Sequence, residues 1–310
     1  MKLRFPEGLD AASFLRRHWQ REPLLLRGAL PGFASPLTPE ELAGLACEEE
    51  VEARAVVGDP LEACEVYPGP FPESFFSALP ERNWTLLVHG VDLWVPEVRA
   101  LFAAFDFLPP WRFDDVMVSY AAPGGGVGPH FDHYDVFLIQ GLGRRRWRLG
   151  QRCSPDTPLR PDAPLRLLAH FEPAAELVVE PGDVLYLPPG VAHEGVALDP
   201  CITLSVGFRA PTAGELLDDL ATEVLSRGGG PRYRDPLLEP AMADERIHPA
   251  FVDQVRALLR EVLDDPDLLA EWFAAYMTRP KYPHLEGLPP RRARVRTAAG
   301  ERLFVDGDPR

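Results

Sequence analysis

Lysine is almost missing from this chain of 310 residues: Lys2 and Lys281 are the only two, and arginine supplies the rest of the positive charge. Acidic residues outnumber basic ones 47 to 32, leaving a net charge of −15. Gripping nucleic acid needs a basic footprint, so this balance argues against direct nucleic-acid binding as a primary role. It leaves a basic partner or a merely soluble acidic surface. Cysteine is scarce and scattered, with Cys47, Cys64, Cys153 and Cys201 forming no close pair. That spacing excludes a disulfide framework or a thiolate zinc site and leaves small, mostly buried apolar residues. No apolar run approaches the length of a membrane helix. The opening Met1-Lys-Leu-Arg-Phe-Pro has no signal-peptide apolar core, so a cytoplasmic protein with no membrane partner is expected. Internal repeats and low-complexity tracts are absent as well.

What is present is a proline-punctuated series of short strand patterns. Asp10 caps a helix over residues 11–19, Leu24-Leu-Leu26 reads as a short buried strand, and Thr38 with Pro39 starts a second helix. Strands are predicted over 52–57, 84–89, 115–120, 144–149, 177–179, 183–187 and 203–208, with one helix over 95–105. Short strands with Pro and Gly turns between them suggest a β-sandwich or jelly-roll barrel. After Pro211 the texture becomes helical. Helices are predicted over 212–225, 249–263 and 266–277, and a hairpin follows around Ala298-Ala-Gly300. The helices carry apolar faces beyond what closing a jelly roll needs, which points to a symmetric homodimer.

The chemistry concentrates in Val127-Gly-Pro-His-Phe-Asp-His-Tyr-Asp-Val-Phe-Leu-Ile-Gln140. A polar opening runs into an apolar stretch, as a loop entering a buried strand does. Residues two apart in a strand share a face, so His130 and Asp132 are expected to point into the same space. His193 arrives after Pro181-Gly-Asp and Pro188-Pro-Gly190, a turn that can place it at the opening of a later strand. Two imidazoles and one carboxylate on one side of a metal leave positions open on iron(II), which favours iron over zinc. The alternative is a hydrogen-bonded structural trio. His133 and Asp135 are out of phase and are expected to face elsewhere, toward the cleft rim, with His133 standing as an alternative ligand. Asp114, Asp115, Asp132 and Asp135 cluster in sequence around the presumed cleft, where an acidic mouth would attract a basic peptide.

Alternation in Arg144-Arg-Arg-Trp-Arg-Leu149 puts Arg145 on one face with Trp147 and Leu149, the interior face. A charge aimed inward is costly unless it meets an anion. A dicarboxylate co-substrate would supply one; a protein carboxylate is the structural alternative. Ser119, on the strand before the glycine loop, offers a hydroxyl.

Three runs together resemble the JmjC-type ribosomal oxygenases, in particular their bacterial branch, the arginine hydroxylases of a large-subunit ribosomal protein: Pro123-Gly-Gly-Gly-Val-Gly-Pro-His-Phe-Asp-His-Tyr-Asp-Val-Phe137, Gly143-Arg-Arg-Arg-Trp-Arg-Leu-Gly150 and Pro181-Gly-Asp-Val-Leu-Tyr-Leu-Pro-Pro-Gly-Val-Ala-His193. The resemblance spans about residues 1–280. It implies an α+β chain: a double-stranded β-helix of JmjC, cupin-like type over 1–212, a helical dimerisation region over 213–283, and a short tail over 284–310, too short for the family's winged-helix-like domain. It further implies Fe(II) on His130, Asp132 and His193, and 2-oxoglutarate held by Arg145 with help from Ser119. The expected activity is hydroxylation of a side chain, arginine, in a basic segment of a large-subunit ribosomal protein. An N-methyl demethylase with the same site, and a cupin-like metal-binding protein without turnover, are the rival readings.

Overall fold

The computed structural model describes every residue except Glu286. It comprises two compact units, Met1–Ala210 and Pro211–Arg310. Among the described residues no helix is long and apolar enough to cross a membrane.

The first unit opens with α1 (Ala11–Arg17), β1 (Leu24–Leu26) and α2 (Pro39–Leu45). Both helices start at capping boxes, Asp10 with Ser13 and Thr38 with Glu41, which satisfy backbone N–H groups that the first turn leaves bare. There follow β2 (Ala53–Asp59), β3 (Ala63–Pro68), α3 (Glu73–Ser77), β4 (Trp84–Val88), α4 (Val91–Trp94) and α5 (Pro96–Arg99). The single helix predicted over 95–105 is instead α5 followed by a 3₁₀ segment, Ala100–Phe105. The tighter winding, with three residues per turn, sets Leu101 and Ala104 on one line, and both are buried. The barrel strands are β5 (Phe113–Ala121), β6 (Val136–Leu142), β7 (Arg145–Arg152), β8 (Ala175–Val179), β9 (Val184–Leu187), β10 (Val191–Ala197) and β11 (Cys201–Phe208).

These strands form two antiparallel sheets. The larger runs β1-β9-β6-β11-β5-β4-β2-β3 and the smaller β10-β7-β8. β6 explains why its sequence is continuously apolar: both of its faces are covered. Phe137 and Ile139 pack with Val184, Tyr186 and the N-terminal helices, whereas Val136 and Leu138 pack with Trp147, Leu149 and Val179 of the smaller sheet. Each such fully buried side chain contributes about 1.5–3 kcal/mol. The result is a jelly roll, a double-stranded β-helix, backed on one side by helices.

The inner face is not apolar throughout. Ser119 of β5 stands opposite Thr203 of β11, and Met117 opposite Ser205. Thr203 in turn stands opposite Gln140 of β6. Ser119, Gln140, Thr203 and Ser205 are all buried. Polar side chains so placed mark the stretch of sandwich interior that does something other than pack.

The second unit holds α6 (Ala213–Ser226), α7 (Pro249–Leu263) and α8 (Pro266–Thr278), then β12 (Arg292–Thr297), β13 (Gly300–Val305) and β14 (Asp308–Pro309) in a three-stranded antiparallel sheet. The predicted hairpin is therefore present and gains a third strand. Asp219 of α6 accepts from the Trp272 indole of α8 at 2.7 Å and pairs with Arg279. Thr278 accepts from the Gly307 N–H at 3.1 Å, which ties the tail sheet to α8. Helices and tail thus make one body.

Asp92, at the start of α4, is 4% exposed and accepts a hydrogen bond from the Val116 N–H at 2.8 Å. Burial pushes its pKa up to about 6. A carboxyl with a folded pKa above its unfolded value binds more protons folded than unfolded, so stability falls as pH rises from about 4 to 6. The cost of the buried charge is fully present above that window. Asp92→Asn keeps the acceptor for Val116 and removes the charge. Chemical denaturation should show it more stable than the parent at pH 7.5, by roughly 1–3 kcal/mol, with the advantage gone below pH 4. An equal difference at both pH values would contradict this account.

Candidate active site

His193 lies on β10 and is 3% exposed. His130 sits in the irregular segment before β6, not in a strand. The two residues form an isolated antiparallel bridge: the His130 N–H donates to the His193 carbonyl at 3.0 Å, and the His193 N–H to the His130 carbonyl at 2.8 Å. Two residues on, the Asp132 carbonyl accepts from the Gly190 N–H at 2.8 Å. His130 and Asp132 do share a face, but strand pleating is not the cause. The irregular segment is pinned onto β10 at His193 and onto the turn before it at Gly190, and those bonds set the direction of the side chains.

The ligand atoms of His130, Asp132 and His193 lie within 4.8 Å of one another, and among the described residues this is the only such group of three or more that could hold a metal. The imidazole centroids are 4.3 Å apart. His193 Nε2 is 3.7 Å from the Asp132 carboxylate. The Nδ1 of His130 faces the Gly128 carbonyl at 2.9 Å, and the Nδ1 of His193 faces the Val191 carbonyl at 2.9 Å. A carbonyl only accepts, so each Nδ1 carries the proton and each Nε2 keeps its lone pair. Burial first, and His130 second, push the pKa of His193 down to about 4, so its ring is neutral at pH 7. Two imidazoles that turn Nε2 toward the cluster and one carboxylate make a donor set that suits a divalent metal, with second-shell bonds already made.

Gly128 carries the carbonyl that orients His130. Its φ is +74°, and a Cβ there would come within 2.8 Å of Leu167. His133 is exposed and outside the cluster, so the alternative ligand is not brought in. Asp135 corrects a further expectation. It is not on the cleft rim but fully buried, accepting from the Tyr186 hydroxyl at 2.6 Å and the Gln20 amide at 3.1 Å, with Arg112 3.5 Å away. It therefore adds nothing to the charge at the mouth. Asp114 pairs with Arg209 at 3.3 Å.

Arg145 points inward from β7 and is 4% exposed. Its guanidinium donates to the Ser119 hydroxyl at 3.3 Å, the Thr203 hydroxyl at 3.4 Å and the Gly195 carbonyl at 3.3 Å. It lies 5.0 Å from the Trp147 ring centre. Among the described residues no carboxylate lies within ion-pair reach of it, and burial lowers its pKa. Nε of Arg145 and Nε1 of Trp147 are buried without partners. Among the described residues a structural pair with a protein carboxylate is thus excluded, and the pocket presents a buried positive charge with donors to spare. Trp147 links the two halves of the cleft, since its ring is also 5.9 Å from that of His193. Gly195 is what lets the two side chains lie where they do: a Cβ there would be 2.6 Å from the indole and 2.7 Å from Arg145 Nε. Thr203, Gln140 and Gly195 are the members of this pocket that sequence reading did not single out. Their only signal was polar or small residues interrupting otherwise apolar strands.

Residues 100–216 match the JmjC domain family. The ribosomal protein uL16 3-hydroxylase of Escherichia coli is 42% identical over 283 residues, covering 91% of this chain and 74% of that protein. A probable ribosomal oxygenase of Haemophilus influenzae is 41% identical over 70% of this chain and 54% of its own length. Among solved structures, E. coli YcfD superposes with a TM-score of 0.85 at 36% identity, covering all of this chain and 87% of that one. A YcfD complex described as holding cobalt and 2-oxoglutarate gives 0.84 at 35% identity, covering 100% and 86%. With its jelly roll, its cluster of two histidines and an aspartate, and a likeness that runs along most of both chains, the protein belongs to the JmjC-domain ribosomal oxygenase family.

Proposed function

We propose that the protein is an iron(II)- and 2-oxoglutarate-dependent hydroxylase of an arginine side chain in a large-subunit ribosomal protein. The observation that carries the reading is the pairing, within one cleft, of the His130–Asp132–His193 cluster with a buried guanidinium that has no carboxylate partner among the described residues. The E. coli relative is named for its action on uL16, and YcfD is described with cobalt and 2-oxoglutarate bound. Iron is preferred because two imidazoles and a carboxylate leave coordination positions open. Arg145 and Ser119 would hold the distal carboxylate through charge-assisted hydrogen bonds. When bound, iron(II), 2-oxoglutarate and dioxygen supply the oxidant that replaces a substrate C–H hydrogen with hydroxyl, leaving succinate and carbon dioxide.

The chain's own residues do the positioning. The Gly128 and Val191 carbonyls hold both imidazoles in the tautomer that presents Nε2. Along the inner face of β5 run Asp115, Met117 and Ser119, a span of about 13 Å at strand rise. Ser119 stands by Arg145. At the other end Gly207 has Asp115 Oδ1 and the Tyr134 ring within 4 Å of where its Cβ would be, so those two are neighbours. Asp132, Asp115 and Asp114 all raise the pKa of the part-exposed Tyr134. An aromatic face beside a carboxylate suits a guanidinium, which stacks and forks at once, and would leave the substrate's side-chain carbons toward the metal cluster. The E. coli name specifies position 3, which in an amino acid is the β-carbon.

Asp132→Ala should lose oxoglutarate turnover by at least a hundredfold and bind cobalt(II) far more weakly in calorimetry, with its circular dichroism unchanged. Turnover near the parental rate would refute the metal assignment. Mass spectrometry of ribosomal proteins from cells with and without the gene should show one added oxygen on an arginine-bearing segment. Replacing that arginine by lysine in a peptide substrate should cut turnover at least tenfold, since the charge stays while the fork is lost. Equal turnover of the lysine peptide, or oxidation of a histidine segment instead, would overturn the arginine assignment.

The second unit supports the homodimer. α7 buries none of its residues, yet Val252, Val255, Leu259 and Leu263 form one apolar stripe along it. Leu217 and Leu225 of α6 are also exposed, at 59% and 72%. Covering such a stripe with its own copy gives a closed two-fold assembly. Light scattering should report a dimer, and Val255→Asp with Leu259→Asp should yield a folded monomer; a monomeric parent would refute the assembly.

A further inference from the structure

We propose that Gln140 is a positioning residue for the co-substrate anchor: it fixes the direction of a hydrogen-bond chain that keeps Arg145 oriented and un-neutralised. The inference rests on the reading of Arg145 as the oxoglutarate anchor. Gln140 is 1% exposed on β6. Its Nε2 lies 2.8 Å from the Leu142 carbonyl and 3.2 Å from the Gly143 carbonyl. Both are pure acceptors, so the amide cannot be turned over without setting oxygen against oxygen. Its Oε1 therefore faces the Thr203 hydroxyl at 3.0 Å, and the hydroxyl proton must go to it.

Thr203 is then left with lone pairs alone to offer Arg145, 3.4 Å away. An arginine has only donors, so the chain runs one way, from Arg145 through Thr203 and Gln140 to two backbone carbonyls. Ser119 differs. Among the described residues its proton reaches only the Thr203 carbonyl, at 3.4 Å, a contact long enough to give up. The two hydroxyls beside Arg145 thus have separate tasks: Thr203 steadies the guanidinium, and Ser119 swings to donate to an incoming carboxylate. A neutral amide at 140 is essential to this. A glutamate there would set a carboxylate against the carbonyls of Leu142 and Gly143 and turn the buried charge of Arg145 toward an internal partner. The anion pocket would then be satisfied before any ligand arrived.

The test is isosteric. Oxoglutarate affinity is measured by calorimetry with cobalt(II) in the site, where no turnover occurs. Gln140→Glu should weaken oxoglutarate binding at least tenfold while cobalt affinity stays within twofold. With iron, KM for oxoglutarate should rise and kcat at saturation stay within twofold, whereas mere structural damage would lower kcat and metal retention together. Thr203→Val should weaken binding several-fold, Ser119→Ala by a separate and additive factor, and Gln140→Glu should have less effect in the Thr203→Val background. Oxoglutarate affinity within twofold of the parent for a folded Gln140→Glu would overturn the inference and leave the anchor standing if Arg145→Ala still abolishes binding. A parent that binds no oxoglutarate with cobalt present would overturn both.

Discussion

Two backbone hydrogen bonds between His130 and His193 govern the geometry of the cleft. They fasten an irregular segment of the chain to the end of β10, and both imidazoles inherit their positions from that contact. The same principle is repeated one shell out. Each ring is turned by a bond from Nδ1 to a nearby carbonyl, of Gly128 or of Val191, so no rotamer search is left for a metal to arrest. Leu167 packs over Gly128 from the long β7–β8 connection, which makes even that loop part of the scaffold. Preorganisation of this kind is how a metal site holds its geometry without a rigid strand beneath every ligand.

The jelly roll divides its interior into two regimes. Val136, Leu138, Leu149 and Val179 give ordinary apolar packing between the sheets. Ser119, Gln140, Thr203 and Arg145 interrupt it with a connected polar network. Networks of this sort favour the fold only when every member is satisfied, and this one is satisfied except at the guanidinium and the indole. The exceptions lie where a small anion would enter. The helices on the far face of the larger sheet supply the hydrophobic stabilisation that the network does not, through Phe14, Phe105, Phe137 and Tyr186.

Much of this could be read from the chain alone, for local reasons. The apolar run after Asp135 announces a strand covered on both faces, and alternation in β7 aims Arg145 inward beside Trp147. The His130–Asp132–His193 cluster could be named because two of its members are two residues apart and the third follows a Pro-Gly turn. What could not be read depends on register between distant strands. Thr203 meets Ser119 on one side and Gln140 on the other across separations of 84 and 63 residues, and no local pattern encodes such a meeting. Asp135 illustrates the converse. It does face away from His130 and Asp132, though not through strand pleating, and only the fold shows it meeting Tyr186, Gln20 and Arg112 in the core. β3 was missed because an exposed edge strand has no apolar face to betray it. The 3₁₀ winding of 100–105 obeys burial rather than helix propensity.

The buried guanidinium has a consequence for the chain as a thermodynamic object. A charge removed from water without a counter-charge raises the free energy of the native state relative to the unfolded one. Any small anion that settles beside Arg145 lowers it again by mass action, by about 2.7 kcal/mol when the ligand stands at a hundred times its dissociation constant. With Arg145 as the anchor of such an anion, resistance to unfolding would be coupled to its supply. A plentiful anion would let the chain persist, and a depleted one would raise the population of opened, protease-sensitive molecules. The abundance of the protein would then follow the concentration of the small molecule that the pocket received.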